Sequence, residues 1–177
     1  MITMIIPTYT LNDELEELAE FGALSYRPQV DELIIMEDGG KYSEILREIA
    51  DIYIYSKENQ GFTKNVNKGW YISSGDWTMI VNSDTQLISG NLKDLCIDKV
   101  TCPITHTENV PYFWGAFFCV PKKIREEYGL LKEGTDKNFG SDSEYEKRIG
   151  HIYQLIQTVE VLHHLNKTWK AAGIQHD

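Results

Sequence analysis

The residues able to do chemistry stand where apolar runs stop. Trp77 to Val81 ends in Asn82-Ser83-Asp84-Thr85, and Glu32 to Met36 ends in Glu37-Asp38-Gly39-Gly40. Carboxylates are hard oxygen ligands of the kind that hold Mg²⁺-like cations, and in open α/β sheets ligands collect at the carboxyl ends of strands. In a parallel sheet those ends share one edge, so Asp84 and the Glu37-Asp38 pair can face one ligand. Two further polar groups stand later in the chain: Asp142, in Ser141-Asp142-Ser143-Glu144, and the His163-His164 pair closing Leu155 to Leu162. Each has a plainer reading. Asp38-Gly39 is ordinary turn chemistry, Asn82-Ser83-Asp84 reads equally as a solvated loop, and Asp142 as a helix cap stabilising by about 1 kcal/mol. Adjacent strand residues point to opposite faces, so only one of the two histidines can enter a common site.

The elements that must position these groups alternate. Residues 2 to 9 are β-rich and almost wholly apolar, the pattern of a strand buried on both faces, with Pro7 ending it. Asn12 or Asp13 caps a helix whose inward face is Leu11, Leu15, Leu18 and Gly22, leaving Glu14, Glu16, Glu17 and Glu20 in solvent. After the strand 32–36, a short helix turns Ile45, Leu46 and Ile49 inward and leads to a strand at 52–55. An amphipathic segment from Lys64 to Ser73 and a turn at Ser74-Gly75-Asp76 precede the strand that ends at Asp84. Later strands are expected at 98–104, 112–120 and 155–162, helices at 122–128 and from Ser141, and a polar loop at 132–138. Strand and helix in turn predict an α/β fold on a parallel sheet. Glycine within a strand marks a close backbone approach, which makes Trp114-Gly115 a candidate pocket floor. Core packing is the alternative, and for Phe117 and Phe118 the better one.

The order Asn59-x-Gly61-Phe62, Asn67-x-Gly69, Gly75-Asp76-Trp77 and Val81-Asn82-Ser83-Asp84-Thr85 resembles the family 2 glycosyltransferases, which have the GT-A fold: a mostly parallel central sheet flanked by helices. It is most similar to members, rhamnosyltransferases among them, whose motif reads Asn-x-Gly-Phe followed by Leu-Asn-Pro-Asp-Thr. Ile5-Ile6-Pro7-Thr8-Tyr9, Ile35-Met36-Glu37-Asp38-Gly39, Trp114-Gly115-Ala116-Phe117-Phe118 and Phe139-Gly140-Ser141-Asp142-Ser143-Glu144 match in the same order. The resemblance implies an inverting enzyme that moves a sugar from a UDP-, dTDP- or GDP-linked donor to the hydroxyl of a glycan, a lipid-linked sugar or another acceptor. It implies Mn²⁺ or Mg²⁺ at Asp84, with His163 as an additional ligand. Glu37 or Asp38 would meet the base or ribose. Pro7, Thr8, Tyr9, Lys64, Asn67, Asn82, Ser83, Trp114 and Gly115 would complete the donor site, and Asp142 would be the general base. The chain departs from the family pattern at Asn82 and Glu37, where Asp is usual, and at Ser141, where Glu is usual. With one carboxylate in the metal motif, the nucleotide is expected to bring the ion with it.

Bulk properties restrict the choices. A length of 177 residues is expected to form a single glycosyltransferase domain over 1–177, short for that family. With 17 Lys+Arg against 27 Asp+Glu, the formal charge of −10 repels phosphate backbones, so nucleic acid is a disfavoured partner. The 3 cysteines, without a Cys-x-x-Cys pair, predict neither a disulfide framework nor a zinc cluster and fit a reducing cytoplasm. No apolar run approaches the roughly 18 residues of a membrane span, and the N-terminus lacks a signal peptide's basic start. A dehydrogenase is excluded by the lack of Gly-x-Gly-x-x-Gly after a first strand. A nucleotidyltransferase could share sheet and metal, but residues 7–14 read PTYTLNDE without its Gly-rich, Arg-bearing loop. The remaining rival is a nucleotide-sugar-binding domain without catalysis.

Overall fold

A computed structural model describes residues 1–107, 113–133, 140–150, 152–164, 167–171 and 173. The first half follows the predicted alternation: β1 (Ile2–Thr8), α1 (Asp13–Tyr26), β2 (Glu32–Asp38), α2 (Glu44–Ile49), β3 (Ile52–Ser56), α3 (Phe62–Ile72) and β4 (Trp77–Val81). The second half contains β5 (Thr85–Ser89), β6 (Val100–Ile104), β7 (Phe117–Pro121), α4 (Lys122–Tyr128), α5 (Ser141–Ile149), β8 (Tyr153–His163) and α6 (Lys167–Ala171). Among the described residues eight strands join one sheet in the order β3-β2-β1-β4-β7-β6-β8-β5.

Strand direction decides what meets at the edge. β1 runs parallel to β2 and β4, β2 to β3, and β6 to β8. β7 is antiparallel to β4 and β6, and β5 is antiparallel to β8. The carboxyl ends of β1, β2, β4 and β8 therefore lie on the same edge as the amino ends of β5 and β7. Thr8, Asp38, the turn 82–84, Thr85, the 113–116 turn and His163 all reach that edge.

Several boundaries differ from the sequence expectation for identifiable reasons. Pro7 does not end β1 but pairs across from Met36, with Thr8 following in register. Asn12 is the cap of α1, its side chain accepting from the Leu15 amide at 3.0 Å, so Leu11 precedes the helix and is 39% exposed. The buried face is Leu15, Ala19, Gly22, Ala23 and Tyr26. In α2 only Leu46 is buried, while Ile45 is 45% exposed, because one sheet face can take only one stripe of a two-turn helix. Gly115 lies in a turn before β7, not within a strand. Tyr112 and residues 134–139, which include Phe139 and most of the expected polar loop, lie outside the described residues.

The core is continuous. β1, β2, β4 and β7 are buried along nearly their whole lengths, and Tyr26, Trp70, Phe117, Phe118 and Tyr145 fill the spaces between sheet and helices. Burying Phe117 and Phe118 stabilises the fold by about 1.5–3 kcal/mol each relative to exposure. Cys96, Cys102 and Cys119 are free thiols, and among the described residues no helix is long and apolar enough to cross a membrane.

Candidate active site

The first wall is the loop after β1. Burial leaves Glu37 fully inside the protein, where a bare carboxylate would be costly, and its environment compensates with donors. Oε2 accepts from the hydroxyls of Thr8 at 2.7 Å and Thr10 at 2.8 Å, and Oε1 from the amides of Thr10 at 3.1 Å and Gly40 at 3.0 Å. Burial pushes the Glu37 carboxyl above its ordinary value, and those four bonds pull it back. Glu37 thus clamps the 8–10 loop to the 39–41 turn. Asp38, pointing to the other face of the sheet, accepts from the amides of Gln60 (3.0 and 3.1 Å) and Gly61 (2.9 Å). Gly61 has φ of 95°, a left-handed value that favours glycine, and it starts α3 beneath that carboxylate.

The second wall is built on the β4–β5 turn. The Asn82 carbonyl accepts from the amide (3.2 Å) and hydroxyl (2.8 Å) of Thr85, and the Tyr26 hydroxyl donates to that same Thr85 oxygen at 3.0 Å. The Asn82 amide donates to Ala116 at 2.8 Å, which ties the turn to the 113–116 segment. Asp84 is held between these anchors with only 4% exposure. Thr85 and His163 are opposite one another in the β5–β8 pair, and His163 Nε2 lies 3.4 Å from Asp84 Oδ1. Neighbouring His164, just past the end of β8, is fixed by its amide, which donates to the Asp84 carbonyl at 2.8 Å. The indole of Trp114 meets the His163 ring edge to face, with centroids 5.7 Å apart.

The third component arrives on α5. Gly140 precedes the helix in the left-handed conformation and no side chain caps it, so Asp142 is a first-turn residue rather than the cap. Its Oδ1 accepts from the Ser143 amide at 2.8 Å. Its other oxygen faces Gly115. A β-carbon on Gly115 would lie 2.8 Å from Asp142 Cγ and 2.9 Å from its Cβ, closer than ordinary contact, so any larger residue there would push the Asp142 side chain away. Trp114 is held from behind by Cys102, whose sulfur receives the Trp114 amide at 3.3 Å; burial pushes that thiol up to about 12.

Asp84, His163, Trp114, Gly115 and Asp142 are therefore contiguous. A carboxylate oxygen is a suitable donor for Mn²⁺ or Mg²⁺, whereas an imidazole nitrogen beside it favours the softer Mn²⁺; adjacent ligands of such a cation lie roughly 3 Å apart, close to the separation found. Among the described residues no group of three or more His, Cys, Asp and Glu forms a closed cage. The pair can supply two ligands of a divalent cation. Thr8, Asp38, Asn82 and Ser83 lie at the same edge, with Pro7 and Tyr9 on either side of Thr8. Lys64 is on the exposed side of α3. Asn67 is turned inward: its Nδ2 donates to the Leu131 carbonyl at 2.8 Å and its Oδ1 receives the Leu131 amide at 3.1 Å. Sequence reasoning assigns no role to Thr10, Tyr26 or Cys102 and places Thr85 and Arg148 only within family-like motifs, because what they do depends on partners elsewhere in the chain. The Thr-x-Thr spacing of 8 and 10 opposite a strand-end Glu was the one usable signal.

A mixed sheet of this order with flanking helices is the GT-A fold. The model of Glycosyl transferase family 2 matches residues 3–96, and the chain belongs to that family. It is similar in structure to the mannosyltransferase PcManGT from Pyrobaculum calidifontis, solved with GDP-Man and Mn²⁺, with a TM-score of 0.71 at 14% identity, covering 97% of this chain and 59% of that one. A similar likeness holds for S. aureus TarS 1-349, with a TM-score of 0.68 at 13% identity over 90% and 59% of the two chains. Glucosyl-3-phosphoglycerate synthase from Mycobacterium tuberculosis, solved with Mn²⁺, UDP and glucosyl-3-phosphoglycerate, gives 0.70 at 12% identity over 98% and 75%. The chain thus spans 59% of the length of the first two. No curated protein matches the sequence.

Proposed function

We propose that the protein is an inverting glycosyltransferase using a nucleoside diphosphate sugar and a divalent cation. The observation that carries this reading is the convergence of the Asp84–His163 pair and Asp142 on Trp114-Gly115, at the edge where this family's fold takes its nucleotide. Asp84 and His163 would hold Mn²⁺ or Mg²⁺. Such a cation, when bound, neutralises charge developing on the leaving diphosphate.

The protein's own groups supply the rest. The loop 7–9, Asp38, Lys64, Asn82 and Ser83 surround the nucleotide, while Glu37 holds that loop in place. Trp114 and Gly115 floor the sugar and exclude water from one side. The acceptor hydroxyl attacks the anomeric carbon opposite the diphosphate, the glycosyl–phosphate bond breaks with its electron pair leaving on the diphosphate, and the hydroxyl proton passes to Asp142 Oδ2. Acceptors of the class are glycans, lipid-linked sugars or other hydroxyl compounds. The free thiols support a cytoplasmic setting.

The test is turnover of a panel of UDP-, dTDP- and GDP-sugars with Mn²⁺, read as nucleoside diphosphate release with and without candidate acceptors. Asp142→Asn should bind donor normally and turn over about 10² to 10⁴ times more slowly. Full activity in that variant refutes the base, and donor binding without turnover in the unaltered protein identifies a binding domain instead.

A further inference from the structure

Between α4 and α5 the chain passes through residues 128–132, and its backbone is gripped from two helices. From α3, the Asn67 amide pairs with both polar groups of Leu131, at 2.8 and 3.1 Å, in a buried site. From α5, the Arg148 guanidinium donates to the carbonyl of Leu130 at 2.8 Å and to that of Tyr128. The same guanidinium meets Glu144 through Nε and Nη2 (2.8 Å) and lies over the Tyr145 ring, 5.0 Å from its centroid. Lys132 closes the arrangement on Glu144 at 2.9 Å. Arg148, Glu144 and Tyr145 are all on the helix whose first turn carries Asp142, so α5 cannot rotate about its axis without breaking this set. Asn67 belongs to the helix whose start is held by Asp38. A fork of donors matched to two carbonyls is geometry that an ammonium cannot reproduce.

We propose that Asn67 and Arg148 are positioning residues that fix Asp142 against Gly115, linking the nucleotide-facing start of α3 to the proton acceptor on α5. The inference rests on the reading of Asp142 as the base. It assigns to Asn67 a task on the protein's own backbone in place of the donor.

The experiment uses Arg148→Lys and Asn67→Asp, each alone and combined with Asp142→Asn, in ¹⁵N-labelled protein. Each single variant should lower kcat about tenfold or more at unchanged donor affinity, the size expected when a reacting group is displaced by a fraction of an ångström. In the Asp142→Asn background neither should lower kcat further, because groups acting through one residue are not additive. The amide resonances of Gly115 and Ser143, which touch Asp142, should shift in both single variants. Equal losses with and without Asp142, or unmoved resonances with unchanged kcat, overturn the proposal. Should Asp142→Asn keep full turnover, the base assignment falls by itself, and unmoved Gly115 and Ser143 resonances then overturn the positioning claim separately.

Discussion

Replacing Gly115 with alanine puts a methyl carbon where the Asp142 carboxylate already rests. The new carbon would overlap Asp142 Oδ2 outright and sit 2.8 Å from Cγ and 2.9 Å from Cβ, whereas ordinary contact begins at 3.4 Å, so the carboxyl carbon must retreat by about 0.6 Å and Oδ2 by more. The turn cannot yield easily: Trp114 is held by Cys102, and Asn82 is bonded to the Ala116 carbonyl at 2.8 Å. Asp142 is half-buried in a first helical turn and can swing toward solvent, so the change should cost only about 1 kcal/mol of stability, the low end for overpacking. Its effect on chemistry is larger, because a base displaced by this fraction of an ångström or more should slow turnover by roughly 10- to 100-fold. Nucleoside diphosphate release measures turnover, calorimetry measures donor affinity, and melting separates both from folding. Wild-type turnover in Gly115→Ala would refute the claim that this glycine sets the base. Lost donor affinity with full turnover at saturation would make Gly115 a sugar contact alone.

Three further outcomes are expected. His163→Ala should abolish most of the benefit of Mn²⁺ to nucleotide binding while His164→Ala leaves it intact; the reverse pattern would place the wrong ring at Asp84. Burial raises the folded Glu37 carboxyl above 4.5, so its contribution to stability is present below about that pH and is lost as pH rises through the raised value. Glu37→Gln should therefore flatten the melting-temperature curve from pH 4.5 upward, and an unchanged slope in urea or thermal melts would contradict the assignment. Asp38→Ala should destabilise the start of α3, where the carboxylate receives the Gln60 and Gly61 amides, by about 1–3 kcal/mol, and unaltered exchange protection of those amides would count against it.

Patterns local in sequence are legible in the chain itself. The apolar runs of β1, β2 and β4 and the acids at their ends needed only periodicity and the strand-end rule. Asn12 as the α1 cap is an i to i+3 bond, also local. β5 escaped notice because Thr85 to Ser89 is a short edge strand whose pairing, with β8, lies far along the chain. Leu11 and Ile45 were misplaced because a hydrophobic stripe does not say where a helix begins or how wide the sheet beneath it is. The site shows the same division. Asp84 is named on type and position and His163 on the family resemblance, and the structure sets them face to face. Asn67 and Glu37 could not be told from ligand contacts, since nothing near them in sequence reveals that Leu131 and the Thr8, Thr10 pair already engage them.

Calorimetric titration of UDP, dTDP and GDP into the protein with Mn²⁺ and with EDTA, repeated on Asp84→Ala, tests the central assignment. At least one nucleotide should bind about tenfold or more tightly with Mn²⁺, a gain of roughly 1.4 kcal/mol, and Asp84→Ala should lose that gain. Equal affinities in Mn²⁺ and EDTA, or an undiminished metal effect without the Asp84 carboxylate, would contradict it.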